Sequence, residues 1–182
     1  MTEEKKETPL PQLQMCRENL DDLPPLNIPD GFVLRSYQDG DALGWEDLTE
    51  STLGFRLNFQ KDIMENSFFM KERVFFICKD EQLVATAIAW CAKEDSENTG
   101  YVHMVGANSE FKGKGLGYQV SLATLHRMAE ENKQRVILHT DDFRLPALAI
   151  YFRLGFKPDI THESHVARWQ EVYKALGVVD HE

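Results

Sequence analysis

Residues 101–131 read YVHMVGANSEFKGKGLGYQVSLATLHRMAEE. The opening run, 101–107, is β-prone and is interrupted by Gly106, where a missing side chain marks a bulge or a close backbone approach. Glycines follow at 113, 115 and 117. Beyond them Val120, Leu122, Ala123, Leu125, Met128 and Ala129 describe the broad apolar arc of a well-buried helix. A glycine loop between a strand and a helix lets successive backbone N–H groups converge on one anion at the helix N-terminus. The candidates are Gly113, Gly115, Leu116, Gly117 and Tyr118, with Lys112 and Lys114 adding two mobile cations at the rim. A diphosphate or the phosphates of a nucleotide-bearing cofactor would suit such a loop. By themselves, the glycines also fit a solvated turn.

Downstream, RVILH at 135–139 reads as a short core strand, completing a βαβ unit. Ala147, Ile150, Tyr151 and Leu154 then fall at helical spacing, with Pro146 tolerable in the first turn and Gly155 placed as the left-handed stop. A short strand over 156–160 and a helix over 163–176, carrying Val166, Trp169, Val172, Tyr173 and Leu176, complete this half. Upstream, GFVLRSY at 31–37 predicts a strand, and Asp41 stands as an N-cap before a helix bearing Trp45, Leu48, Thr52 and Phe55. A second helix is expected over 61–70, then two antiparallel strands, 74–79 and 83–91, joined at Asp80-Glu81. A polar connection over 93–100 leads back to the opening stretch.

Residues 1–29 read as an N-terminal extension, broken by Pro24, Pro25 and Pro29, ahead of one domain over 30–182. Leu13, Cys16, Leu20 and Leu23 could form a short apolar edge that docks on this domain. The formal charge of -10 opposes a general nucleic-acid partner, which needs excess Lys and Arg, and mildly favours a cationic substrate. No run approaches a signal peptide or membrane span, and Cys16, Cys78 and Cys91 match no zinc or disulfide pattern. A cytoplasmic protein with neither metal nor membrane is expected. Homodimerisation is compatible with the sequence but has no signature in it.

Among phosphate-binding loops, a Walker motif is excluded because Tyr118-Gln119 stand where Lys-Ser/Thr is required. A Rossmann site wants GxGxxG in the first βαβ unit, whereas here the glycines run GxGxG after antiparallel strands. From about residue 31 to 160 the chain resembles the GNAT superfamily of acyl-CoA N-acyltransferases. Two separated motifs carry the likeness. The family pattern of Arg or Gln, two residues, Gly, one residue, then Gly or Ala falls on Lys112, Gly115 and Gly117, with lysine as a departure. The pattern of Ala, three residues, Tyr, three residues, Gly-Phe falls on Ala147, Tyr151, Gly155 and Phe156. Arg144 replaces the asparagine that often opens the second motif, and could meet a phosphate instead. The extension and the GWED run at 44–47 also resemble a mycothiol-synthase-like branch.

The resemblance implies an α/β fold with a mixed, splayed sheet flanked by helices and a C-terminal helix. It also implies acetyl-CoA as co-substrate and direct transfer to a small-molecule or peptide amine in a ternary complex. Met104, Val105 and Ala107 occupy the strand whose amides hold the pantetheine arm and polarise the thioester. Tyr151 matches the acid that protonates the leaving thiolate. Tyr101 stands where some members carry a glutamate base, so His103, on the same strand face, or an ordered water is the expected base. Asp141 and Asp142 could draw an ammonium substrate or serve the turn, and His162 with His165 reads as a solvated helix start. A CoA-binding sensor or interaction module without activity is the alternative from another class.

Overall fold

The computed structural model describes residues 10–91 and 97–178. Residues 1–9, the last four residues, and most of the polar connection after Cys91 lie outside them. In chain order the elements are β1 (Leu13–Arg17), β2 (Val33–Ser36), α1 (Ala42–Leu53), β3 (Val74–Lys79), β4 (Gln82–Trp90) and β5 (Thr99–Ala107). They continue with α2 (Leu116–Glu130), β6 (Arg135–Thr140), α3 (Leu145–Arg153), β7 (Lys157–Asp159) and α4 (Ser164–Leu176). The strands form one mixed sheet of order β2-β3-β4-β5-β6-β1-β7. Neighbours are antiparallel except β5 and β6, whose parallel run needs the long crossover that α2 supplies.

Side-chain alternation along β3 and β4 builds a core on each face of the sheet. On one face Trp45 and Leu48 of α1 pack with Phe59, Phe76, Cys78 and Ile88. On the other, Leu116 and Val120 of α2 meet Ile77, Val84, Ala85 and Ala87. Asp80 and Glu81, with φ of 47° and 70°, form the two-residue β3–β4 hairpin, whose positive φ values match the strand twist. In the GWED run, Glu46 is buried and accepts the Phe59 amide at 2.9 Å, tying α1 to the chain that follows it. Asp41 stands at the start of α1 without capping it through its side chain. Its carboxylate instead holds Arg35 at 2.6 and 2.8 Å and the Gln38 amide at 2.7 Å.

Two expectations need correction. The helix expected over 61–70 is a short π-helical turn, Gln60–Met64, followed by a separate 3-10 turn, Lys71–Arg73. Asn66 stops it: its side-chain carbonyl accepts the Phe68 amide at 3.0 Å, competing with helical pairing. The larger correction concerns residues 1–29. Leu13–Arg17 is an internal strand, paired along its length with β6 and through Gln14, Met15 and Cys16 with β7. The β6–α3–β7 connection leaves a gap one strand wide, and β1 fills it. Leu13 and Met15 are fully buried in the core shared by α2, α3 and α4. An alternating five-residue strand is hard to recognise in sequence when its partners lie more than a hundred residues away.

Candidate active site

The β5–β6 ladder is short. Thr99, Gly100 and Tyr101 pair with Arg135, Val136 and Ile137, after which both strands continue unpaired with one another. The sheet therefore opens into a V beyond Tyr101. On the other side of β5 the register shifts: Ile88 faces His103 while Thr86 faces Gly106, which sets Met104 and Val105 against the single residue Ala87 of β4. Met104 absorbs the bulge with a φ of 52°. The bulge thus precedes Gly106, whose own role is close approach, since a Cβ there would lie 2.4 Å from the Thr52 hydroxyl of α1. Beyond the end of the β5–β6 ladder, Met104 and Val105 border the V.

The glycine loop follows β5 directly. Gly113 and Gly115 have φ of 85° and 74°, and a side chain at either would meet open space. Gly115 precedes α2, and the first bond of that helix runs from the Gln119 amide to the Gly115 carbonyl. The amides of Leu116, Gly117 and Tyr118 therefore precede any intrahelical acceptor and point out of the helix N-terminus. Lys112 and Lys114 stand exposed beside them. The loop thus gathers free backbone amides and two exposed cations just after β5.

A cleft of about 200 Å³ occupies the V, lined in part by Tyr101, His103, Met104, Val105, Arg144 and Tyr151. It is smaller than the roughly 300–1,000 Å³ of a pocket enclosing a whole cofactor, and suits a reacting end group. Tyr151 projects from α3, is 6% exposed, and packs its ring on Phe156 at 6.0 Å between centroids. Its hydroxyl has no hydrogen-bond partner among the described residues. Burial raises its pKa above the ordinary tyrosine value, while Arg144 opposes that rise, so it rests as a protonated phenol. Arg144 does not sit at the glycine loop. It lines the cleft, pairs with Asp141 at 3.0 Å and reaches the Leu53 carbonyl at the end of α1 at 3.5 Å.

The Acetyltransferase (GNAT) family model covers residues 34–156. The chain belongs to the GNAT acetyltransferase family. Among curated relatives, the mycothiol acetyltransferase of Thermomonospora curvata is 28% identical over 79% of this chain and 50% of its own length. The chain spans about half the length of the curated relatives it matches. A GCN5-related N-acetyltransferase from Sphaerobacter thermophilus superposes with a TM-score of 0.61 at 18% identity, over 82% of this chain and 50% of that one. Another from Kribbella flavida gives 0.57 at 17% identity, over 82% and 55% of the respective chains.

Within this GNAT chain His103 needs correction as a base of ordinary strength. Its ring lies 5.7 Å from that of Trp90 and 5.4 Å from that of Tyr101. Burial, and secondarily His139, push its pKa down to about 4. The unfolded chain binds this proton near pH 6.5 and the folded chain only near 4. The resulting stability is complete above pH 6.5 and is lost as pH falls through 4. The difference corresponds to ~3 kcal/mol. Urea unfolding above pH 6.5 and near pH 4 should show a shallower pH dependence for His103→Phe than for the wild type. Equal slopes in the two proteins would contradict this account.

The remaining candidates divide clearly. Asp141 holds Arg144 and accepts from Gln12 at 3.0 Å, and Asp142 holds Arg168 of α4 in a bidentate pair at 2.6 and 2.9 Å. Both carboxylates are engaged in structure. His165 is fully buried, not solvated, whereas His162 bonds Ser164 at the start of α4. Sequence reasoning missed His139 and Gln14. The Tyr101 hydroxyl lies 3.0 Å from His139 Nδ1, and His139 Nε2 lies 2.9 Å from Gln14 Oε1. The alternation of RVILH could have placed His139 on the face of Tyr101, but nothing could have placed Gln14 there.

Proposed function

We propose that this chain is an N-acetyltransferase that passes an acetyl group directly from acetyl-CoA to a primary amine in a ternary complex. The observation that carries the reading is the V beyond Tyr101, bounded by the bulged Met104–Val105 stretch and the free Tyr151 hydroxyl, with the glycine loop following the same strand. In this reading the loop amides and the two lysines take the CoA pyrophosphate. The Met104 and Val105 amides polarise the thioester carbonyl, stabilising the oxyanion that forms when the amine attacks. Tyr151 gives its proton to the departing thiolate. With His103 this weakly basic, the amine proton leaves through another acceptor at the cleft.

The relatives' name brings forward a mycothiol-type thiol-sugar amine as acceptor, beside polyamine, peptide and antibiotic amines. Calorimetry with acetyl-CoA, followed by assay of thiol release with glucosamine, ethanolamine, spermidine and a serine-initiated tetrapeptide, tests the reading. Binding with release is expected. Binding with no release from any of the four amines favours the sensor or interaction module, and absence of binding overturns both readings.

Gly115→Val tests the cradle separately. No atom lies within 4 Å of a Cβ added there, but a φ of 74° is costly for a β-branched residue, by roughly 1–2 kcal/mol. The added methyls would also stand where the anion must approach. Acetyl-CoA affinity should fall at least about 10-fold, more than a stability loss of that size explains in a protein that stays folded. Calorimetry on the folded variant checks this, and retained affinity would contradict the loop assignment.

A further inference from the structure

We propose that Tyr101 and His139 together form the base of the transfer, and that Gln14 of the N-terminal strand sets the tautomer of His139. The inference rests on the transferase reading and goes beyond it. Three strands supply its members: Tyr101 from β5, His139 from β6 and Gln14 from β1. Residues 13, 15 and 138 point into the helix-covered core, so alternation places Gln14 and His139 on the opposite face, with Tyr101. Tyr101 and His139 both line the cleft.

The hydrogen bonds have one consistent direction. The Gln14 amide nitrogen donates to Asp159 at 2.8 Å, and Asp159 also holds Arg135 at 2.6 Å. This turns Gln14 Oε1, an acceptor, toward His139 Nε2, which must therefore carry the hydrogen. His139 Nδ1 is left as the acceptor of the Tyr101 O–H. When the amine attacks the thioester, its nitrogen becomes cationic and must lose a proton. That proton passes to the Tyr101 oxygen as the Tyr101 O–H proton moves to His139 Nδ1. No free phenolate forms, which matters because burial raises the Tyr101 pKa. The imidazolium then donates through both nitrogens, to Tyr101 and to Gln14.

Several groups face His139. Tyr101 and His103 approach from β5, Gln14 from β1 and His165 from α4, while Asp141 and Asp142 follow on its own chain and are held by Arg144 and Arg168. Burial first, then His165, lower the His139 pKa below 6.5, leaving the ring neutral and receptive near neutral pH.

The test uses the full chain and two independent readouts. With 15N-labelled histidine, nuclear magnetic resonance should find the Nε2–H tautomer of His139, and Gln14→Leu should populate the Nδ1–H form. Thiol release is then followed with acetyl-CoA and the best acceptor of the four amines. In the wild type, log kcat/KM against pH should steepen from a slope of one, due to the acceptor ammonium, to two below an inflection under pH 6.5. His139→Gln should keep a slope of one throughout and lower kcat about 100-fold, as should Tyr101→Phe, and the double variant should fall no further. An Nδ1–H wild-type ring, or variants that keep the wild-type rate and steepening, would overturn the relay. A wild type that binds no acetyl-CoA would instead overturn the transferase reading, and the relay with it.

Discussion

A chain that begins at residue 30 is expected not to fold, although sequence reasoning drew the domain boundary there. Removing the preceding residues deletes β1 from between β6 and β7 and leaves facing edges of both strands unpaired. It also removes Leu13 and Met15, both wholly buried in the main core. Truncating one such side chain to alanine costs about 2–5 kcal/mol, and a domain's whole stability is only about 5–15 kcal/mol. The double variant Leu13→Ala/Met15→Ala keeps the ladder and should lose more than the ~2–5 kcal/mol of either single truncation, measurable by urea unfolding at neutral pH. A cooperatively folded 30–182 fragment would show that β1 is dispensable. The strand also carries Gln14, so its loss would remove part of the proposed relay along with the core.

Tyr151→Phe is expected to lower kcat by about 10²–10⁴-fold while acetyl-CoA affinity stays within about 3-fold. The reasoning separates ring from hydroxyl. The ring packs on Phe156 and belongs to the core, and phenylalanine preserves it. The hydroxyl has no partner among the described residues, so deleting it strands no buried donor or acceptor and should change stability by only about 1 kcal/mol. Its raised pKa keeps it protonated through neutral pH, and loss of this acid should place the alkaline fall in rate above the ordinary tyrosine value. Single-turnover thiol release and calorimetry on the same preparation check both halves. Unaltered turnover would remove Tyr151 from the chemistry.

The legibility of this chain followed the range of its interactions. The helix bearing Ala147, Ile150 and Tyr151 was readable because its spacing, its early proline and its terminal glycine are all local. The glycine loop was readable for the same reason, since Gly113 and Gly115 supply positive φ within a few residues of the helix they precede. The expected helix over 61–70 failed on one local competitor, the Asn66 side chain. Arg144 was misjudged because motif position located its backbone, whereas Asp141 and the end of α1 decide where its guanidinium lies. His103 has an ordinary imidazole in isolation, and only Trp90, Tyr101 and burial weaken it.

The sequence alone determined the α/β class, the glycine loop and the tyrosine-bearing helix, because these depend on periodicity and spacing within single elements, and its two separated motifs carried the GNAT resemblance. Tertiary structure decided the rest. It put the N-terminal strand inside the sheet, moved the bulge to Met104, ended the β5–β6 ladder at Tyr101, and brought Gln14 to His139. Each of these depends on pairing between residues far apart in the chain, and a pKa or a tautomer is set by whichever groups that pairing places within a few ångströms.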